Sequence, residues 1–231
     1  MKNLLTPFAH FIDLFFPRIC MVCGEKLYHQ ENIMCSQCLY DMPVTNFHLE
    51  TNNPLQAIFW GRFPIEKATA LLYFKKGSKY RKLIHKLKYK GNPEIGIFLG
   101  RLLAENLSDW AVGIDYIVPV PLHPKKKKIR GYNQSEMFAN GLSEILDIPV
   151  DNQTLIRNSF TETQTKKTRY ERWENVKSVF DITNEKTFQD KHILLVDDVI
   201  TTGATLEGSA QALLGIKNVK VSIAAIGMAH N

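Results

Sequence analysis

The stretch HILLVDD at 192–198, followed directly by VITTGATL, constrains the chain more than any other. Its unbroken apolar run reads as a strand covered on both faces, the kind found inside a parallel sheet. Asp197 and Asp198 come at the carboxyl end of that run, where open parallel sheets bind their ligands. The turn Thr201-Thr202-Gly203-Ala204-Thr205 then offers three hydroxyls, backbone N–H groups and little bulk. It opens a helix carrying Leu206, Ala210, Leu213 and Leu214, whose dipole favours an anion, so the segment reads as a phosphate cradle. Adjacent carboxylates beside it would accept hydrogen bonds from sugar hydroxyls or bind magnesium through water. The plainer alternative is a helix N-terminus with incidental threonines. There is no G-x-x-x-x-G-K-[ST] loop, no G-x-G-x-x-G turn and no D-x-D pair.

The same alternation runs back along the chain. ATALLYF (68–74) reads as a strand and 77–90 as a helix with Ser78 as its N-cap. A helix after Pro93, a strand end at 116–121 and a helix over 132–146 with Phe138, Leu142 and Ile145 inward come next, and 219–226 closes as a last strand. Strands alternating with helices predict an α/β domain, a mostly parallel sheet flanked by helices, over 67–231. Residues 46–66 read as a connector, and 158–178 as a long polar loop running into a short helix.

All four cysteines lie in the first 38 residues, as Cys20-x2-Cys23 and Cys35-x2-Cys38. Each pair can chelate one ion without strain, and four thiolates suit a closed structural zinc site that holds a module of residues 1–45 together. Two disulfides are the alternative, weakened by the lack of an export signal. Pro7, His10 and Asp13 interrupt the apolar N-terminus, whose spacing predicts a short amphipathic helix. No run is long and apolar enough to span a membrane, and a cytoplasmic location is expected.

With 45% apolar and 23% charged residues the chain is an ordinary folded protein, neither disordered nor fibrous. The net charge of +6 favours an anionic partner, and the cations are bunched. Residues 75–90 hold eight of them without one carboxylate, and Lys125–Lys128 with Arg130 form a second run. Lys79, Lys82, Lys86 and Lys90 recur every three or four residues, a ridge that is either a solvated face or a contact for phosphate. Phe59, Trp60 and Tyr89 are either core residues or aromatics on which the bases of a bound single strand would stack.

VDDVITTGATL resembles the phosphoribosyl pyrophosphate (PRPP) motif of type I phosphoribosyltransferases. That resemblance implies that Asp197 and Asp198 hold the ribose hydroxyls, that Thr201, Thr202, Gly203, Ala204 and Thr205 wrap the 5′-phosphate, and that magnesium accompanies PRPP. It places Val120, Pro121, Lys125 and Arg130 in the pyrophosphate loop and Thr161, Gln164 and Arg172 in the catalytic flexible loop. Joined to a four-cysteine module, and with RGYNQ at 130–134, the whole chain resembles the ComF family of competence proteins. The family implies a cytoplasmic protein that handles incoming single-stranded DNA with a helicase-like partner. A transferase joining a nitrogen acceptor to ribose C1, and a PRPP sensor without catalysis, are the alternatives. For a transferase no clear general base stands out, His123 and Lys166 being the candidates.

Overall fold

The computed structural model describes residues 17–158 and 179–229. The amphipathic N-terminal segment and the flexible-loop residues Thr161, Gln164 and Arg172 lie outside them. Four parallel strands form the main sheet: β1 (Ala68–Phe74), β2 (Tyr116–Pro119), β5 (His192–Ile200) and β6 (Lys220–Ala229), in the spatial order β1-β6-β5-β2. β3 (Leu155–Arg157) and β4 (Phe180–Ile182) pair separately as an antiparallel ribbon. The helices are α1 (Ser36–Tyr40), α2 (Pro54–Ala57), α3 (Arg81–Tyr89), α4 (Glu94–Ala104), α5 (Pro124–Arg130), α6 (Gln134–Leu146) and α7 (Ala204–Leu214).

The continuous apolar run in β5 is explained by burial on both faces. Leu194 and Val196 point into a core shared with Leu99 of α4 and Phe138 and Leu142 of α6. Ile193 and Leu195 point the other way, into a core shared with Leu206, Ala210 and Leu213 of α7. This is the period-two alternation of a strand with helices above and below it. On the first face α4 and α6 touch backbone to backbone, because a Cβ at Gly141 would lie 2.1 Å from the Ile97 carbonyl oxygen.

Both sheet edges are covered, which removes templates for unwanted pairing. Thr45 N–H donates to the Leu71 carbonyl at 3.1 Å, and Tyr73 N–H to the Pro43 carbonyl at 2.8 Å, so the chain leaving the cysteine module closes β1. Ile117 and Val150 form a bridge that does the same for β2.

Several elements differ from the sequence expectation. α3 starts at Arg81, not at 77, and Ser78 does not cap it; Gly77 at φ +82° turns the chain away from β1, and i→i−3 bonds tighten the next residues. Tyr132 precedes α6, whose N-cap is Asn133, its side chain accepting from Ser135 N–H at 3.2 Å. Ile145, expected inward, is exposed in the last turn of that helix. Phe47, Leu55 and Phe59, within 46–66, are buried in the α7-side core. Phe59 is therefore not available to stack a base.

Candidate phosphosugar cleft

β5 runs through the acid pair to Ile200, while its neighbour β2 stops pairing at Val196. Val120 N–H closes the last rung on the Val196 carbonyl at 2.9 Å, and beyond it the chain turns away. Asp197 and Asp198 thus keep β6 on one side and face an opening on the other. The opening is a cleft of about 980 Å³. Its walls carry Lys76, Arg81, Lys88, Lys126, Arg130 and Arg157 against two carboxylates, Asp197 and Asp198. Six cations around two acids make a focusing field for a polyanion.

The acid pair is fixed in detail. Ser135 Oγ, in the first turn of α6, donates to Asp197 Oδ1 at 3.0 Å, and Asp198 N–H donates to the same oxygen at 2.8 Å. Lys88 Nζ lies 2.9 Å from both Oδ1 and Oδ2 of Asp198. Burial, then the neighbouring Asp198 charge, push the Asp197 carboxyl up to about 7. Near neutral pH this group therefore exchanges its proton readily, and a cation or hydroxyl donor arriving there favours the ionised form.

The turn after β5 is built for close approach. Gly203 caps α7 at φ +77°, and a Cβ there would sit 2.6 Å from the Phe59 ring, so the buried aromatic and the bare glycine form one contact. Arg62 donates to the Thr202 carbonyl at 2.8 Å and pairs with Glu207 at 3.4 Å, tying the turn to the segment before β1. Thr201, Thr202 and Thr205 are left exposed at the N-terminus of α7.

Of the residues read from the sequence, Asp197, Asp198, Thr201, Thr205, Val120, Pro121 and Arg130 line this one cleft. Thr202, Gly203 and Ala204 complete the turn. In the basic run, helical rotation puts Lys126 and Arg130 on the wall, four residues apart on one face of α5, and turns Lys125 aside. His123 accepts from Lys125 N–H at 3.2 Å through Nδ1 and so serves as the N-cap of α5. The lysine ridge divides. Lys79 pairs with Asp41 at 3.6 Å, whereas Lys82, Lys86 and Lys90 line a second cavity of about 360 Å³ with Met21.

Sequence reasoning missed Lys88, Arg62, Ser135 and Arg157. One signal was present: Arg81 and Lys88 recur at i and i+7, on one face of α3 with His85 between them. Arg62, Ser135 and Arg157 meet the site only through tertiary packing.

The four cysteine sulfurs all lie within 4.8 Å of one another, and Cys23 Sγ and Cys35 Sγ are 3.7 Å apart. Four thiolates at about 2.3 Å from one tetrahedral ion would be about 3.8 Å apart, so the cluster fits a metal ion. Burial opposes ionisation of Cys20, but backbone N–H groups of Cys23, Cys35 and Val22 hold it down to about 6. Burial, with the other thiols, pushes Cys38 up to about 12, so a cation is the natural means of ionising all four. Among the described residues no other group of His, Cys, Asp and Glu gathers in this way.

A family model described as "Phosphoribosyl transferase domain" matches residues 133–231, which span Ser135, the acid pair and the turn. Over 201 residues the chain is 32% identical to the DNA utilization protein YhgH of Escherichia coli strain K12, covering 85% of this chain and 84% of that protein. The chain belongs to the ComF family. Competence protein F of Haemophilus influenzae is 39% identical over 108 residues, 46% of this chain and 47% of that protein. Competence protein ComFC of Bacillus subtilis is 37% identical over 98 residues, 42% of this chain and 38% of that protein. This ComF-family chain accordingly combines a phosphoribosyltransferase-type α/β domain with an N-terminal four-cysteine cluster. Among the described residues no helix is long and apolar enough to cross a membrane.

Proposed function

We propose that the cleft binds PRPP or a related phosphosugar together with magnesium, and that the four cysteines hold a structural zinc ion. The observation that carries the first part is the pair of carboxylates uncovered at the end of β5, beside a small-residue turn at the N-terminus of α7 and within a ring of six cations. Asp197 and Asp198 accept the ribose hydroxyls, and Thr201, Thr202 and Thr205 with the N–H groups of the turn take the 5′-phosphate. Lys126, Arg130 and Val120–Pro121 face the pyrophosphate, and magnesium supplies further neutralisation of that group when bound. The role in the cell is handling of single-stranded DNA during uptake, with a helicase-like partner in the cytoplasm; the support is the competence and DNA-utilization names of the relatives.

The same cleft serves a transferase or a sensor. Pyrophosphate release, monitored while nucleobases and other nitrogen acceptors are added to the PRPP-bound protein, separates them: acceptor-dependent release identifies a transferase, binding without release a sensor. For DNA the supporting feature is the cavity lined by Lys82, Lys86 and Lys90, with Tyr89 exposed on the same helix. Charge reversal at Lys86 and Lys90 is expected to weaken single-stranded DNA binding about tenfold or more and to flatten its salt dependence in a fluorescence anisotropy titration. Unchanged affinity and slope would move the DNA surface elsewhere.

A further inference from the structure

α3 stands between the cysteine cluster and the cleft and touches both. Toward the cluster, Tyr80, just before the helix, donates its hydroxyl to the Cys38 carbonyl at 2.8 Å. Lys82 Nζ donates to the Val22 carbonyl at 3.3 Å, inside the Cys20–Cys23 turn. Leu83 and Leu87, both fully buried, share one core with Cys20, Val22, Met34 and Cys38. Toward the cleft, Arg81 and Lys88 line the wall, and Lys88 holds both oxygens of Asp198. A nine-residue helix is too short to be stable alone, so its position is set by what it packs against.

We propose that Lys88 is a residue of the phosphosugar site and that the metal-loaded cysteine cluster sets the affinity of that site by fixing α3. This rests on the phosphosugar reading above. The Lys88–Asp198 pair is largely shielded, with side-chain exposures of 22% and 14%. A carboxylate offers about four lone-pair directions, so sugar hydroxyls can join Lys88 on Asp198 without expelling it, while the same ammonium faces the anionic end of the ligand. Without its ion the cluster no longer holds the Val22 and Cys38 carbonyls in register, α3 keeps only its contacts with the main domain, such as the Tyr132 hydroxyl to the Leu87 carbonyl, and Lys88 is held less firmly over the acid. Linkage then requires the reverse effect: bound phosphosugar retains the metal by the same factor.

The test is a calorimetric titration of PRPP with magnesium into the full chain in four states: wild type and Lys88→Met, each zinc-loaded and stripped by a chelator under reducing conditions. Stripping and Lys88→Met are each expected to weaken binding about tenfold or more. Stripping the Lys88→Met protein is expected to add less than about twofold, because the contact that carries the coupling is already gone. Lys88→Arg recovers part of the affinity. Tyr80→Phe in the zinc-loaded protein keeps the buried ring, loses the hydroxyl's bond to the Cys38 carbonyl with its contact to Lys79, and weakens binding severalfold; it reads the coupling even where stripping unfolds the chain. Saturating PRPP slows transfer of the zinc to a chromophoric chelator. Equal affinity with and without zinc, unchanged or tighter binding by Lys88→Met, or fully additive losses would overturn the proposal while the phosphosugar reading stands. Absence of PRPP binding by the zinc-loaded wild type would remove that reading, and this proposal with it.

Discussion

Asp197→Asn is expected to raise the melting temperature of the unliganded protein at pH 8 by about 5 °C and to abolish phosphosugar binding. The carboxyl titrates near 7 in the folded chain against an ordinary value of 3.8, because burial and the Asp198 charge oppose its ionisation. A raised carboxyl contributes stability that is fully present below the unfolded value and is lost as pH rises through the folded one. At pH 8 the folded state therefore carries the whole cost of ionising Asp197, whereas at pH 4 it carries almost none. One pKa unit corresponds to about 1.4 kcal/mol, and allowing for coupling to Asp198 and the remaining solvent contact, the expected gain is about 2 kcal/mol. Asparagine keeps an oxygen for Ser135 and for Asp198 N–H, so the local hydrogen bonds survive. Melting curves from pH 4 to 8 check the sign: the advantage of the variant should shrink as pH falls. A variant that is less stable than wild type at every pH would show instead that the ionised carboxylate is a structural element.

Removing the metal is expected to have the opposite effect on stability. The residues between the cysteine pairs contribute Leu27, Ile33 and Met34 to a core that continues into α3, α4 and α6. The turns of this segment are held by backbone bonds such as Cys20 N–H to the Glu25 carbonyl at 2.8 Å and Met21 N–H to the Ile33 carbonyl at 2.9 Å, and by the Arg18 and Glu31 side chains, with no helix or sheet among its described residues to stiffen it before α1. On the proposed zinc reading, metal binding adds to the stability of this segment. Chelation under reducing conditions, or Cys38→Ser, should lower the melting temperature by about 10 °C. Metal retention should fall with pH, because protons compete for the thiolates. A stripped protein that melts at the same temperature with the same far-ultraviolet spectrum would show that the apolar contacts alone hold the segment.

The sequence was most informative where chemistry and chain order coincide. The acid pair, the small-residue turn and the paired cysteines are contiguous, so their spacing carried their geometry, and β1 begins and ends where its apolar run does. Legibility failed where a residue acts across the fold. Arg62 reaches the turn of Thr202 from a position 140 residues earlier, and Lys88 reaches Asp198 across 110. Nothing local distinguishes these cations from others on a solvated face. Phe59 illustrates the converse: its aromatic character is legible, but its burial comes from a core assembled by distant elements, with the bare αL glycine at 203 making room for its ring. Of the lysine ridge only Lys82 and Lys86 lie within α3, and the cluster that covers one end of it lies some 40 to 60 residues away in the chain.

On the proposed reading the acid pair in the cationic cleft recognises a phosphosugar. The most direct measurement is titration calorimetry of the zinc-loaded protein with PRPP and magnesium, repeated with Asp198→Asn. Saturable binding with one site per chain is expected, lost in Asp198→Asn while the circular dichroism and melting behaviour show an intact fold. No heat of binding in the wild type, or equal affinity in the variant, would contradict it.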